Sequence, residues 1–310
     1  MPSITSTANP HVAALRALHT GKGRSEAGMF LVEGPHLITA ALDAHLVPEP
    51  LLYDADALAR TPAGRDLMGR LEALRAGGAR IYDAAPAAIA RACDTQAPQG
   101  VVAAIPIAGV AADTVRQRRR GRARALVLIL DAVSDPGNVG TLLRAALAAD
   151  VDEVWLSPGC ADPLAPKVVR AASGATFIQP VRAPLPWDEV AARLAGAPHV
   201  HQVVLAEATA RDAYDELDLT QRTALIVCNE AHGPTREAAR LATRRVRIPM
   251  WNKVESLNAA IAGSVILFEG GRQRRAHDLA TQRTDQSPSR TPAPRERVTD
   301  ESAQGGEATD

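Results

Sequence analysis

The sequence predicts an α/β protein: a C-terminal parallel sheet with helices on both faces, joined to a smaller N-terminal α/β domain. Three observations lead there. From 125 to about 271, apolar strand-like runs alternate with helical stretches, the pattern of strands buried on both faces. Residues 1–107 carry a shorter alternation of their own. Between them, 108–124 (AGVAADTVRQRRRGRAR) breaks both patterns with Arg116, Arg118, Arg119, Arg120, Arg122 and Arg124. It reads as a solvated Arg-rich linker, with a local phosphate-binding patch as the sharper alternative.

Along the first domain, NPHVAALRALHT predicts a short amphipathic helix capped by Asn9. GKGRSEAGMF reads as a basic glycine-rich loop, MFLVEG as a strand and PHLITAALDA as a helix. TPAGRDLMGRLEALRAGG starts at a Thr-Pro cap and stops at a glycine pair. QGVVAAIPI closes the unit as a strand. In the second domain, strands are predicted at ALVLIL, VDEVWLS, ATFIQPV, HQVVLAE, TALIVCNE and RVRIPM. Helices are predicted at 139–149, 164–173, 186–195, 235–242 and 256–270. The tail 272–310, rich in Arg, Gln, Ser, Thr, Pro and Glu, is expected to be disordered.

Composition narrows the function. The 310 residues suffice for two domains, and 46% hydrophobic content supports a core in each. Net charge is zero, so nucleic-acid binding would need local basic patches. Cys93, Cys160 and Cys228 show no CxxC spacing, which argues for a reducing compartment and against a disulfide framework or zinc site. The histidines are scattered and no metal is expected. No apolar run reaches the ~18 residues of a membrane span, and no signal-peptide pattern opens the chain; a cytoplasmic location is expected.

In an open parallel sheet, ligands bind beyond the carboxyl ends of the strands. Three polar clusters fall at such ends. LILDAVSDPGNVGTLLRAA carries Asp131, then Asn138, Gly140 and Arg144 at a helix entrance. LIVCNEAHGP carries Asn229 and Glu230. IPMWNKVESLNAAIAGS carries Glu255, Ser256 and Asn258 at the doorstep of a helix. Asn, Arg, Glu, Ser and Asn at three strand ends converge on one polar site. Neither GxGxxG nor GxxxxGK[ST] occurs, which disfavours a dinucleotide or P-loop site. The DPGN turn still offers free backbone N–H groups to an anion.

Together the clusters resemble the SpoU (TrmH-like) family of the SPOUT superfamily of RNA 2'-O-ribose methyltransferases. Its Asn-x-Gly-x-x-x-Arg motif is matched by NVGTLLR, Asn138 to Arg144. Its second and third motifs are matched by CNEAHG and IPMWNKVESLN, and KVVRAASGATF (167–177) is similar to its linking helix. The N-terminal ITSTANPHVAAL…GRSEAGMFLVEGPHLITAAL is similar to the family's ribosomal-protein-like RNA-binding domain.

The resemblance implies a deep trefoil knot in 125–271 and a homodimer formed through that domain, with the site near the subunit interface. It implies bound S-adenosylmethionine, held largely by backbone at Cys228, Ile248 and Leu257, with Asn229 and Gly233 beside them. It implies methyl transfer to a ribose 2'-hydroxyl, with 23S ribosomal RNA as the expected substrate. A tRNA methyltransferase and a catalytically silent RNA-binding or assembly factor are the alternatives. In that site Arg144, a fixed cation, would stabilise the developing alkoxide and grip a phosphate. Asn138, Glu230, Ser256 and Asn258 would orient Arg144, the ribose and the loops; Ser256 reads equally as a helix cap. Two positions depart from the family pattern: Cys228 and Asn252 stand where glycine is usual. In the first domain Arg16, Lys22, Arg24 and His36 are the expected RNA contacts. Aromatic residues make up only 3% of the chain, which argues against a base-stacking platform.

Overall fold

The computed structural model describes residues 3–110, 125–196, 200–252 and 256–285. The Arg-rich stretch 111–124, Glu255 and the tail from 286 lie outside the described residues.

The N-terminal unit runs α1 (Pro10–Ala17), α2 (Gly21–Ala27), β1 (Met29–Glu33), α3 (Pro35–Asp43), β2 (Leu51–Tyr53), α4 (Ala55–Ala59), α5 (Pro62–Ala76), β3 (Ile81–Asp83), α6 (Pro86–Ala92) and β4 (Val101–Pro106). Its sheet order is β1-β4-β2-β3. β4 is antiparallel to both neighbours, and β2 is parallel to β3. Side chains alternate between two cores: Phe30 and Val32 enter one, Leu31 the other.

The expected caps form. Asn9 accepts from His11 N, and Thr61 from Gly64 N. The GKGR stretch is not a loop. Its glycines lower helix propensity, yet it forms α2, capped by Thr20 and ended by Gly28 at φ 62°. Gly23 lies so close to the Ala17 carbonyl that a Cβ there would sit 2.0 Å from its oxygen.

The C-terminal unit runs β5 (Leu126–Asp131), α7 (Pro136–Ala148), β6 (Glu153–Leu156), α8 (Pro166–Ala172), α9 (Ala175–Ile178), β7 (Val181–Arg182), α10 (Trp187–Gly196), β8 (Gln202–Ala206), β9 (Asp212–Ala213), β10 (Thr223–Cys228), α11 (Arg236–Leu241), β11 (Arg244–Arg247) and α12 (Ala259–Asp285). The sheet order is β7-β6-β5-β10-β8-β11-β9, parallel throughout. Leu126, Leu128 and Leu130 face α7, α8 and α12; Val127 and Ile129 face the side covered by α10 and α11. β10 lies between β5 and β8, where the order changes direction.

Two expectations fail here. ATFIQPV is mostly α9, with only its end in β7. Ser173 and Gly174 in left-handed conformations break the chain before it, and Phe177 is buried against Phe30, ring centroids 6.3 Å apart. Burial between two domains, not strand pairing, made the run apolar. Residues 272–285 are helical, not disordered. Gln273 accepts from Leu219 N (2.8 Å) and donates to Leu217 O (3.0 Å), while Arg274 donates to Leu219 O (3.0 Å) and Gln221 O (2.9 Å). These tertiary bonds override the polar composition.

The two units share structure at α8 and α9. Val169 and Phe177 belong to the N-terminal core. Arg170 reaches Asp94 (2.9 Å) and Glu33 (3.4 Å), and Arg24 pairs with Asp162. On its other side α8 packs on Gly140, where a Cβ would meet the Val168 carbonyl at 2.6 Å. Among the described residues no helix is long and apolar enough to cross a membrane.

Candidate active site

Three neighbouring strands end at one cleft: β10 at Cys228, β8 at Ala206 and β11 at Arg247, with β5 ending at Asp131 beside β10. The cleft holds about 270 Å³, and Val227, Ile248, Leu257, Ala262 and Ile266 give it apolar walls. Cys228, Asn229, Gly233, Ile248 and Leu257, the five residues expected around a cofactor, all line it, as do Glu230 and Ser256.

At the cleft's edge the three motifs meet through side chains. Pro136 opens α7, and Asp135 caps it by accepting from Asn138 N at 2.8 Å. The Asn138 side chain then bridges two distant segments. Its Nδ2 donates to Glu230 Oε1 (2.9 Å), and its Oδ1 accepts from Asn258 Nδ2 (2.8 Å). Glu230 Oε1 also accepts from Ala259 N, the first N–H of α12. Asn258 Oδ1 accepts from Ala260 N (3.0 Å) and Ile261 N (3.2 Å). A helix leaves its first N–H groups without internal partners and carries partial positive charge there. Glu230 and Asn258 satisfy both needs, so the helix cap is Asn258, not Ser256.

Asn229 lines the cleft with its side chain committed to the loops: Nδ2 donates to Ala132 O (3.0 Å) and Ser134 Oγ (3.3 Å). Below it, buried Asp131 accepts from Thr235 N at 2.7 Å. Burial raises its pKa, against the lowering effect of that N–H. Asn252, in place of the usual glycine, has φ 64°. Asparagine tolerates this left-handed conformation better than most side chains, so the departure keeps the loop geometry.

Cys228 has extended backbone in β10, and its Sγ lies 3.8 Å from Ala206 O. Burial pushes its pKa up to about 11, so the thiol is neutral at physiological pH. Iodoacetamide at pH 8 is expected to modify Cys228 roughly 10²-fold more slowly than a free cysteine, because only the thiolate reacts. The rate should climb as pH rises toward 11. Peptide-resolved mass spectrometry separates it from Cys160, also near 11. A free-cysteine rate at pH 8 would contradict the burial.

Arg144 is not in the hydrogen-bonded cluster. It lies six residues beyond Asn138, about 9 Å along α7 and about 240° around it. It shares the exposed stripe of Thr141 and Ala148, and makes no hydrogen bond or ion pair among the described residues. Of the expected RNA contacts, Arg16 and Lys22 are exposed, and His36 is exposed with Nε2 3.1 Å from Ser173 Oγ. Arg24 is a correction. Its side chain is buried, with Nη1 donating to Leu18 O (2.9 Å) and His19 O (3.1 Å) and Nη2 paired with Asp162. It joins the domains and has no free face for RNA. The sequence reading missed Glu207 and Thr209, which also line the cleft. The available signal was their place just past the end of β8, the same topological position as the other clusters.

Comparison with known proteins fits this geometry. The SpoU rRNA Methylase family model matches residues 125–268, and the MRM3-like substrate binding domain model matches 9–103. An uncharacterized tRNA/rRNA methyltransferase of Synechocystis sp. is 33% identical over 276 residues, covering 88% of this chain and 94% of the relative. The 23S rRNA (guanosine(2553)-2'-O)-methyltransferase RlmP of Bacillus subtilis is 31% identical over 272 residues, covering 86% and 98%. The crystal structure of an AdoMet-bound rRNA methyltransferase from Sinorhizobium meliloti superposes with TM-score 0.71 at 30% identity, covering 87% of this chain and 97% of that one.

Proposed function

Because the chain belongs to the SpoU rRNA methylase family, we propose that it is an S-adenosylmethionine-dependent methyltransferase acting on a ribose 2'-hydroxyl of ribosomal RNA. The observation that carries this is the meeting of Asn138, Glu230 and Asn258 from three separate loops at the edge of an apolar cleft. The named activity of the Bacillus relative supports 23S RNA over tRNA.

The cleft suits the methyl donor. Its apolar walls fit an adenine ring and a thioether-like chain, and Cys228, Ile248 and Leu257 stand where backbone groups would hold the molecule. Bound S-adenosylmethionine supplies a sulfonium-activated methyl, so the protein's task is alignment and charge stabilisation. Asn138, Glu230 and Asn258 fix the loops against the α12 N-terminus. They are positioning residues here, since both amide ends of Asn138 and Asn258, and Glu230 Oε1, are engaged in these loop contacts. Ser256, exposed at the cleft, is free to bind the sugar. Arg144 is the cation for the developing alkoxide and its neighbouring phosphate. An arginine stays protonated at ordinary pH, so it stabilises charge and does not act as the base.

Arg144 meets the site in a homodimer. On α12, which packs beside α7, Ile261 and Phe268 are 53% and 48% exposed. They lie seven residues apart and so on one face. A second copy on this face covers them and brings the Arg144 stripe to the subunit boundary. A knotted path for the last strand and helix is part of the same reading, and the packing of α12 on β10 and α7 is compatible with it. The enzyme would work in the cytoplasm, where its three free cysteines stay reduced.

Isothermal calorimetry tests the cofactor half directly. Saturable binding of S-adenosylmethionine is expected. Absence of any saturable heat would favour a silent RNA-binding factor.

A further inference from the structure

We propose that the hollow beside the cleft, where Arg211, Arg244 and Arg245 come together, is a second RNA site that grips the phosphate backbone. It rests on the reading of the chain as an RNA methyltransferase and adds a contact surface on the catalytic domain itself. Thr209 and Glu207 line both the hollow and the methyl-donor cleft, so the two are continuous. Arg247 stands on the cleft side of that boundary.

Charge decides what the hollow fits. Arg245 is bound to Glu207 at 2.9 Å and to the Ala239 carbonyl at 3.3 Å. The Arg211 and Arg244 side chains are exposed and make no hydrogen bond or ion pair among the described residues. The same holds for Arg247 and for Arg236 and Arg240, one turn apart on α11. The acidic residues of the hollow are Glu207, already paired, and Asp212. Arginines elsewhere, such as Arg24, Arg70, Arg170 and Arg182, are matched to carboxylates. In the hollow three arginines face two carboxylates, and one of these, Glu207, is already taken by Arg245. β9 pairs with β11 only at Val246 and Arg247, so Arg244 and Arg245 lie beyond that ladder and border the hollow. Guanidinium forks match phosphate geometry, and no aromatic side chain lines the hollow. It is built to hold a backbone and leave the bases unread.

The test compares wild type with Arg211→Gln/Arg244→Gln in binding to ribosomal RNA across a salt series, with S-adenosylmethionine binding measured on both. Neither side chain supports the fold, so the variant should melt as wild type does. The expected result is RNA binding about tenfold weaker near 150 mM salt. The log–log salt slope should be shallower by about 1.5, two phosphate contacts' worth, and cofactor affinity unchanged. Wild-type RNA affinity and slope in the variant would overturn the proposal. So would a parallel loss of cofactor affinity, which would make the hollow part of the cofactor site. If wild type itself bound neither RNA nor S-adenosylmethionine, the reading of the function would fall first and the second site with it.

Discussion

Glu230→Ala is expected to lower kcat/KM for methyl transfer by about 10²–10³-fold. The carboxylate receives Asn138 Nδ2 at 2.9 Å and the first N–H of α12. Hydrogen bonds to a charged group contribute about 1.5–3 kcal/mol each. Partial exposure trims the sum to about 3–4 kcal/mol, and each 1.36 kcal/mol is tenfold in rate. Losing Glu230 frees one arm of the Asn138 bridge and leaves the first N–H of α12 without its acceptor, so the loop carrying Glu230 loses its tie to the other two. Glu230→Gln keeps an acceptor and loses the charge; a loss near tenfold is expected. Steady-state kinetics on ribosomal RNA provide the check. An alanine variant within threefold of wild type would mean that the cluster is not what aligns the site.

Arg144→Ala is expected to lower kcat by about 10²–10³-fold, the usual effect of removing one group that stabilises developing negative charge. Stability and cofactor affinity should not change, because the side chain is exposed and makes no hydrogen bond or ion pair among the described residues. That combination separates a catalytic residue from a structural one. If the site is completed across two subunits, mixing Arg144→Ala with Glu230→Ala chains should restore measurable turnover, since some mixed dimers hold one intact site. Wild-type-like turnover by Arg144→Ala alone would remove it from the chemistry.

The sequence made the parallel sheet legible because its strands are apolar on both faces, from Leu126 through Leu130 and from Ala224 through Val227. The cleft was legible through motif position, and Cys228, Asn229, Gly233, Ile248 and Leu257 all reach it. Less legible was whatever depends on contact between distant segments. Arg24 looked like a loop cation, but Asp162, 138 residues away, takes its charge. ATFIQPV looked like a strand because both domains bury it. Gln273 and Arg274 looked solvated until the chain at 217–221 supplied carbonyl and N–H partners. Arg144 was assigned to the right helix; six residues of helical rotation turn it from Asn138 toward solvent, which motif spacing alone does not reveal.

The most direct measurement uses purified protein, radiolabelled S-adenosylmethionine and ribosomal RNA, followed by complete alkaline hydrolysis. Alkali cleaves RNA through a free 2'-hydroxyl, and a methyl on that oxygen blocks cleavage of the adjacent bond. Label is expected in alkali-resistant dinucleotides derived from 23S RNA. Label recovered only in mononucleotides, marking a base as the acceptor, or no transfer at all, would contradict ribose methylation by this chain.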